Sequence, residues 1–281
     1  MSATFPLLQL DEVDSTQTFA LSQWDSLCGE STGPILFGVQ AAHQTNGKGR
    51  FDRSWEDLAQ GSVLLSLAIS LPEQATSQAA WLTNLLVYSA GEVLENELPA
   101  LMDWQIKWPN DLWFNGKVAG VIATARPRPI QTIERSKQVA RTNHYLCGIG
   151  LNLLPPANSH SLPFAQSVFE LARKSGIEAE LNLDIWSWGE KIANRFAQQL
   201  ATWADNDWEL PSEVIANFSR RLLNLGQKVT FSAPLASNDP GVAQTGKILG
   251  IDPAGGLRIQ IKDAEKIYYA GEITFPQKTE F

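Results

Sequence analysis

The alternation of apolar and polar positions predicts a β-sheet within the first 152 residues. Residues 35–42 are almost wholly apolar. The stretch 62–69 places its larger apolar side chains at every second position, with serine or alanine between most of them. A period of two is typical of strands, and residues 7–13 and 145–152 predict two more.

Apolar positions at longer spacing predict helices. Residues 77–98 are apolar on most sides, which indicates a buried helix. Residues 182–204 carry apolar side chains every three or four positions, so this helix contributes a stripe to the core and does not indicate a cofactor site. Further helices are predicted over residues 16–27 and 165–175 and before Leu223.

The dipeptide Asn115-Gly116 lies between two apolar runs and predicts a hairpin with a two-residue turn. In an ideal turn of that kind Phe114 pairs with Lys117. Strict alternation would then place Asp111 and Lys117 on opposite faces, so they would meet only if Asp111 lay in the turn, outside the ladder. The sequence leaves this open.

After Gly226 the pattern changes to five short strand-like runs separated by glycine and proline. The runs are 228–232, 243–251, 257–261, 267–270 and 272–275. Their number and spacing predict a small barrel-like unit. We therefore predict an α+β domain over 1–223, with a mixed sheet and helices on one side, and a β domain over 224–281. The polar, basic segment 126–143 predicts a long exposed connection.

Composition narrows the class of protein. The chain has 281 residues, 44% of them hydrophobic and 19% charged, which is ordinary for a globular protein. Its formal net charge of -8 argues against a general nucleic-acid binder. Two cysteines are too few for a disulfide scaffold or a cysteine-rich metal site. No signal peptide and no apolar run of eighteen residues is visible, so we expect a cytoplasmic protein.

The stretch from Gln44 to Trp55 carries the first candidate chemistry. Two glycines alternate with Lys48 and Arg50 between two predicted strands. Glycines let backbone N–H groups approach a ligand closely, and the cations supply charge for a phosphate or carboxylate. A solvated basic hairpin has the same composition. A Walker A loop is excluded, because Lys48 is followed by glycine and no helix follows.

Five stretches, taken in chain order, carry a resemblance to a known family. They are Asp14-Ser15-Thr16, Gln44 to Trp55, Lys107-Trp108-Pro109-Asn110-Asp111, Lys117-Val118-Ala119-Gly120 and Gly148-Ile149-Gly150-Leu151-Asn152. Together they resemble the biotin protein ligases, over roughly residues 7–275. The small β unit resembles the SH3-like C-terminal domain of that family.

The chain departs from the family pattern in three ways. Lys48 stands where the family usually has arginine, which offers a point charge in place of a bidentate fork. Phe51-Asp52 replaces the usual Arg-Gly, which removes one cation and some flexibility. The motifs begin within the first fifteen residues, so we expect no helix-turn-helix domain and no DNA binding.

The resemblance implies an activity: ATP-dependent attachment of biotin to a lysine of a biotin carboxyl carrier protein of acetyl-CoA carboxylase, through biotinyl-5′-AMP. ATP and Mg²⁺ are the implied cofactors. A lipoate or octanoate ligase or transferase of the same fold is the nearest alternative, but it is expected to lack the β tail and the Lys-Trp-Pro-Asn-Asp turn. A non-catalytic binding regulator is a second alternative, and it has no need of three cations around a carboxylate.

The resemblance also implies residue roles. The implied catalytic residues are Lys117, Arg50 and Asp111. The implied biotin contacts are Ser15, Thr16, Gln44, Gly47, Arg50, Lys117, Gly120 and Gly148. The implied ATP and adenylate contacts are Lys48, Arg50, Trp55, Asn110, Lys117 and Asn152. Asp111 is the implied metal ligand.

Plain structural roles fit some of these residues equally well. Ser15 and Thr16 can simply cap a helix, and Asp111 with Lys117 can form a surface ion pair worth ~0–1 kcal/mol. The implied partners are biotin, ATP and the carrier protein, with no DNA and no membrane. The resemblance leaves room for a weak homodimer, and the oligomeric state is not readable from the sequence.

Overall fold

The computed structural model describes residues 5–28, 31, 33–51, 53–126, 142–156, 162, 164–178, 181–232 and 243–274. Most of the basic segment predicted as an exposed connection, residues 127–141, lies outside the described residues. No helix in the described ranges is long and apolar enough to cross a membrane.

A seven-stranded mixed sheet forms the larger part of the molecule. In chain order its strands are β1 (Leu7–Leu10), β2 (Ile35–Ala41), β5 (Ser62–Pro72), β6 (Gln105–Lys107), β7 (Asp111–Trp113), β8 (Lys117–Ala125) and β9 (Thr142–Asn152). A two-stranded ribbon, β3 (Gly47–Lys48) with β4 (Ser54–Trp55), projects between β2 and β5 in the chain. The spatial order is β1-β2-β5-β9-β8-β7-β6, with β1 and β2 parallel and the other neighbours antiparallel.

Within the described residues, six α-helices accompany the sheet. They are α1 (Thr16–Ser22), α2 (Trp24–Leu27), α3 (Ala80–Glu97), α4 (Val168–Lys174), α5 (Ile185–Asp205) and α6 (Ser212–Arg220). The two long helices, α3 and α5, pack on one face, where alternate β5 side chains such as Leu65 and Leu67 are buried. This burial places the main core between the sheet and the long helices.

Helices lie on both faces, so the prediction of helices on one side is wrong. The predicted helix 16–27 is interrupted at Gln23 and forms α1 and α2. These short helices cover part of the opposite face, where Ala20 and Trp24 bury themselves against Phe37 and Ala68. The second face is therefore only partly covered, and the uncovered part is available for a site.

The C-terminal unit is a five-stranded antiparallel sheet. Its strands are β10 (Lys228–Ser232), β11 (Gln244–Ile251), β12 (Leu257–Ile261), β13 (Ala264–Tyr268) and β14 (Glu272–Thr274), in the spatial order β13-β12-β11-β10-β14. It contacts the start of α3, where Trp81 Nε1 donates to Pro253 O at 2.9 Å and Asn84 Nδ2 donates to Gly255 O at 3.0 Å. The division at residues 223 and 224 stays a prediction.

Candidate active site

A cleft lies on the sheet face opposite α3 and α5, and glycines form its floor. Gly120 pairs with Gly150 across β8 and β9, and Gly148 pairs with Ser66 on β5 and with Ile122 on β8. Because these positions lack a Cβ, other side chains lie directly on the sheet. A Cβ at Gly150 would collide with the Trp55 ring, and all these residues line the cleft.

The start of α1 supplies buried polar groups at one end of this floor. Ser15 is the N-cap of α1, and its Oγ accepts from Thr18 N at 3.5 Å. Thr16 Oγ1 lies 2.8 Å from Ser66 Oγ and donates to Gln44 Oε1 at 3.0 Å. The predicted biotin contacts Ser15, Thr16 and Gln44 therefore all lie at the start of α1 and line the cleft. Ser15 also has the predicted capping role.

Gln17 is a cleft residue that sequence reasoning missed. Its side chain lies over Gly148, where a Cβ would stand 2.6 Å from Gln17 Nε2. This nitrogen is buried and has no hydrogen-bond partner among the described residues. A buried donor without a partner is costly unless a ligand accepts from it. The sequence signal that could have identified Gln17 is its position directly after the Asp14-Ser15-Thr16 motif.

Cations form the other wall of the cleft. They are Lys48, Arg50, Arg53, Lys107 and Lys117. The guanidinium of Arg50 donates to Asn110 Oδ1 at 3.1 Å and to Gly271 O at 3.2 Å. Burial lowers the pKa of Arg50, while the nearby carboxylates of Asp111 and Glu272 oppose that shift. The wall thus holds partly desolvated positive charge, which binds anions more strongly than charge in open water.

Lys117 and Asp111 meet, although Asp111 lies inside the ladder. Lys117 Nζ stands 2.8 Å from Asp111 Oδ1, and the approach is that of an ion pair without the direction of a hydrogen bond. Trp113 pairs with Lys117 and Leu112 with Ala119, so Val118 is an extra residue on β8. This bulge and three-residue loop replace the predicted two-residue turn. They put Asp111 and Lys117 on one face of the sheet. The prediction that the two side chains would meet only if Asp111 lay in the turn, outside the ladder, was therefore wrong.

Trp55 and Lys117 occupy the centre of the cleft. The Lys117 ammonium lies 5.6 Å from the centre of the Trp55 ring, and both lie above Gly120. The indole nitrogen of Trp55 is buried without a hydrogen-bond partner among the described residues. An aromatic face and a cation thus adjoin the glycine floor, an arrangement that suits an extended, partly anionic ligand.

Lys107 and Glu272 also line the cleft without having been predicted to do so. Lys107 pairs with Asp111 across β6 and β7, and burial lowers the pKa of its ammonium. It opens the Lys-Trp-Pro-Asn-Asp motif, so the sequence did contain its signal. Glu272 comes from β14 of the C-terminal unit. No local pattern connects it with a cleft built by residues more than 100 positions earlier.

Two predicted contacts do not reach the cleft. Gly47 is packed in the β3–β4 ribbon, where a Cβ would stand 2.5 Å from Trp55 O, so its lack of a side chain serves the ribbon. Asn152 ends β9 and donates its Nδ2 to Gln166 O at 3.1 Å. The ligand contacts predicted for Gly47 and Asn152 stay predictions. The other predicted site residues all line the cleft.

Metal-binding capacity within the described residues is small. No group of three or more His, Cys, Asp or Glu side chains that could hold a metal ion occurs among them. Asp111, the predicted metal ligand, is in an ion pair with Lys117. Asp111 and Glu272 both line the cleft. One or two carboxylates suffice for Mg²⁺ when substrate phosphates and water complete its shell, so the residues present fit Mg²⁺ that accompanies a phosphate ligand.

Comparison with known proteins gives consistent matches. Residues 10–143 match the model of the biotin/lipoate A/B protein ligase family. The biotin–[acetyl-CoA-carboxylase] ligase of Mycobacterium tuberculosis is 26% identical over 273 residues, covering 94% of this chain and 88% of that protein. The bifunctional ligase/repressor BirA of Bacillus spizizenii is 26% identical over 277 residues, covering 95% and 73%.

Solved structures share the whole architecture. The biotin protein ligase of Aquifex aeolicus in complex with biotin and ATP matches with a TM-score of 0.68 at 24% identity, covering 96% of this chain and 97% of that one. The Leishmania major enzyme in complex with biotinyl-5-AMP matches with a TM-score of 0.57 at 18% identity, covering 96% and 99%. These matches confirm the predicted fold class, including the SH3-like C-terminal sheet. Taken with the family match over residues 10–143 and the relatives, they show that the chain is similar to the biotin protein ligases over nearly its whole length.

Proposed function

We propose that this protein attaches biotin to a lysine of a biotin carboxyl carrier protein, with ATP as co-substrate and biotinyl-5′-AMP as intermediate. The observation that carries this proposal is the charge of the cleft. Among the residues that the structure describes, five basic side chains line it against two acidic ones, Asp111 and Glu272, in a chain of net charge -8. Such a local reversal of charge suits a site where two anionic substrates must come together.

The first half-reaction joins the two anions. A carboxylate oxygen of biotin attacks the α-phosphorus of ATP, the bond to the bridging oxygen breaks, and pyrophosphate leaves with the electron pair. Arg50, Lys48 and Lys117 would lie around the carboxylate and the α-phosphate and neutralise the charge that develops between them. This role agrees with the partly buried position of Arg50 and with Lys117 above the glycine floor.

The second half-reaction forms the amide. The amine of the carrier lysine attacks the acyl carbon of the mixed anhydride, and AMP leaves as the carbon–oxygen bond breaks. The amine must give up a proton, and Asp111 is the proposed group that orients it. Asp111 already stands 2.8 Å from one ammonium, that of Lys117, so it can accept from a second.

Biotin itself would lie on the glycine floor. Ser15, Thr16 and Gln44 would hydrogen-bond its ureido ring, and Gln17 Nε2 would add a buried donor next to Gly148 that has no partner among the described residues. Trp55 would stack on the adenine, and Asn110, held by Arg50, would help to fix the nucleotide side.

Mg²⁺ would be held by Asp111 together with the ATP phosphates, and when bound it would neutralise phosphate charge. The described residues provide no separate cage for it. The lysine-bearing partner is proposed to be the carrier protein of acetyl-CoA carboxylase. A weak homodimer stays a prediction.

The test is incorporation of labelled biotin into a carrier domain, with and without ATP. We expect labelling only with ATP, and none on a carrier whose acceptor lysine is replaced by arginine. Octanoate and lipoate are offered in parallel with an acyl carrier domain. Transfer of either of these in place of biotin would assign the protein to the other branch of its family, and no transfer of any acyl group would overturn the proposed enzyme activity.

A further inference from the structure

The C-terminal unit reaches into the cleft through two consecutive residues at the start of β14. Arg53 makes a two-pronged contact with Glu272, from Nη1 to Oε1 at 3.1 Å and from Nη2 to Oε2 at 3.0 Å. Arg50 donates to the carbonyl of Gly271 at 3.2 Å. The β3–β4 ribbon carries three of the six predicted nucleotide contacts, Lys48, Arg50 and Trp55, and is thereby tied to a unit more than 200 positions away in sequence.

Glu272 interacts electrostatically with other cations of the wall besides Arg53. Hydrogen bonding from Arg53 holds the pKa of Glu272 below its ordinary range, and Lys107 and Arg50 act in the same direction. The same carboxylate raises the pKa of Arg53. Three of the five cleft cations therefore have this one carboxylate as a shared counter-ion.

A carboxylate that faces a guanidinium with both oxygens has the geometry that a phosphate uses on the same partner. We propose that Glu272 occupies, in the ligand-free protein, the place of a phosphate group of ATP, and that nucleotide entry displaces it from Arg53. This inference rests on the proposed function. It adds a residue of the C-terminal unit that positions Arg53 before ATP arrives and competes with ATP afterwards.

Repulsion between negative charges is the reason why Glu272 must leave Arg53 when a phosphate group binds there. A polyphosphate bound next to Arg53, Arg50 and Lys107 would stand close to the Glu272 carboxylate, and like charges in contact repel. The Glu272 side chain is 38% exposed and that of Arg53 is 63% exposed, so their own contact is weak and screened. A weak internal contact can hold the ribbon in register and still yield to a ligand that carries several charges.

The experiment compares wild type with Glu272→Gln, which keeps the shape and removes the charge. Binding of ATP without biotin, and of inorganic tripolyphosphate, is measured by calorimetry. We expect Glu272→Gln to bind both about five- to fiftyfold more tightly, and to bind biotin as wild type does. Glu272→Asp retains the charge and should stay close to wild type.

Glu265→Gln is the matched control. Glu265 also accepts two contacts from an arginine in the same sheet, Arg258, at 2.7 and 3.1 Å, and it does not line the cleft. It should leave polyphosphate affinity unchanged. Unchanged affinity in Glu272→Gln would reduce the contact to a surface ion pair, and weaker binding would mean that Glu272 supports the nucleotide; both results overturn the inference.

Carrier biotinylation by wild type is measured in the same preparation. Biotinylation without tighter binding in Glu272→Gln would overturn this inference and leave the proposed function standing. Tighter tripolyphosphate binding by Glu272→Gln, with no biotinylation by wild type, would overturn the proposed function and leave the competition between Glu272 and phosphate standing.

Discussion

At the scale of single residues, three close neighbours determine the position of the Lys117 ammonium. Its ammonium is fixed between Asp111 and the Trp55 ring, above Gly120. A Cβ at Gly120 would stand 2.9 Å from Lys117 Nζ, so the missing side chain leaves room for the ammonium to lie on the floor. A charge held this way needs little reorganisation when a new negative charge develops next to it.

We predict that Lys117→Ala slows adenylate formation by about 10²–10³-fold, because one fixed donor of this kind accounts for ~3–4 kcal/mol of barrier. Biotin affinity should change far less, since the residues assigned to the ureido ring, Ser15, Thr16 and Gln44, make no hydrogen bond to Lys117, and Thr16 is held by Gln44 and Ser66. Pyrophosphate release in a single turnover and calorimetric biotin binding measure the two effects.

Lys191→Ala serves as the matched control for this variant. Lys191 also forms a lysine–carboxylate pair, with Glu97 at 2.6 Å, but between α5 and α3 on the other face of the sheet. It should leave adenylate formation unchanged. If biotin binding and adenylate formation fall together in Lys117→Ala, Lys117 anchors the ground state. If neither falls, its contact with Asp111 is a plain ion pair.

The lowered pKa of Lys107 predicts how the affinity for ATP depends on pH. Burial lowers its pKa below the ordinary value of 10.5, while Asp111 and Glu272 oppose the shift. As pH rises, Lys107 therefore loses its positive charge earlier than an ordinary lysine does. Affinity for ATP should fall in the pH range below about 10.5, and Lys107→Arg, which keeps its charge, should not show this decline. A decline of the same size in both proteins would assign the titration to another group.

The sequence predicted which residue types meet in the cleft better than it predicted how they meet. Ser15, Thr16, Gln44, Arg50 and Lys117 were all identified through the motifs that carry the family resemblance. The meeting of Asp111 and Lys117 depends on the extra residue Val118, and a one-residue bulge leaves no periodic signal. Glu272 is a single acidic residue in a β-rich stretch, so only the tertiary fold brings it to the site.

At the scale of elements, the β3–β4 ribbon is the part of the site best placed to move. In the part of the chain that the structure describes, its strands pair with each other and with no other strand, through Gly47 with Trp55 and Lys48 with Ser54. Phe51, near its tip, has φ 54, a conformation that side chains other than glycine rarely adopt, and it is 49% exposed. A short ribbon held to the rest of the protein mainly by side-chain contacts opens at a lower cost in free energy than a strand inside a sheet.

We predict that the ribbon closes over biotin and ATP and is then protected from trypsin. Trypsin cleaves after lysine and arginine, and the ribbon offers Lys48, Arg50 and Arg53. Cleavage there, located by mass spectrometry, should slow when both ligands are saturating. Sites in the basic segment 126–143 act as an internal control, since that segment is not assigned to the site. Equal cleavage of the ribbon with and without ligands would show that it does not close.

Most elements of the fold were predictable from periodicity. Strands β5 and β9 and helices α3 and α5 are long enough for a clear apolar period, and all four were predicted at nearly their observed positions. The break in the helix 16–27 and its position on the opposite face were not. Four residues from Trp24 to Leu27 are too few to show which face of a sheet they will cover.

At the scale of the whole molecule, the two sheets share one site. The larger sheet supplies the floor together with Lys107 and Lys117 of the wall, and the smaller one supplies Glu272 and the Gly271 carbonyl. The β3–β4 ribbon between them supplies Lys48, Arg50 and Arg53. Further contacts join the units behind the cleft, where the Trp81 and Asn84 side chains donate to backbone carbonyls. The C-terminal sheet thus contributes a carboxylate and a carbonyl to the cleft. If Glu272 acts as proposed, a change at β14 alters nucleotide binding without touching the predicted catalytic residues.

Charge distribution over the whole chain gives the last prediction, that the protein does not bind operator-like DNA. A protein that binds duplex DNA typically neutralises about six to ten phosphates with an exposed basic surface. This chain has a net charge of -8, and its cluster of five cations lines a cleft that it shares with Asp111 and Glu272. Five cations that share their cleft with two carboxylates are fewer than duplex binding requires.

Fluorescence anisotropy of labelled duplexes at low salt is the direct measurement, with ATP binding as the control that the preparation is active. No change should occur at micromolar protein. A salt-sensitive, sequence-specific shift at sub-micromolar protein would contradict the prediction. It would direct attention to the segment 126–143, whose five basic residues against a single acid form the most basic run in the sequence.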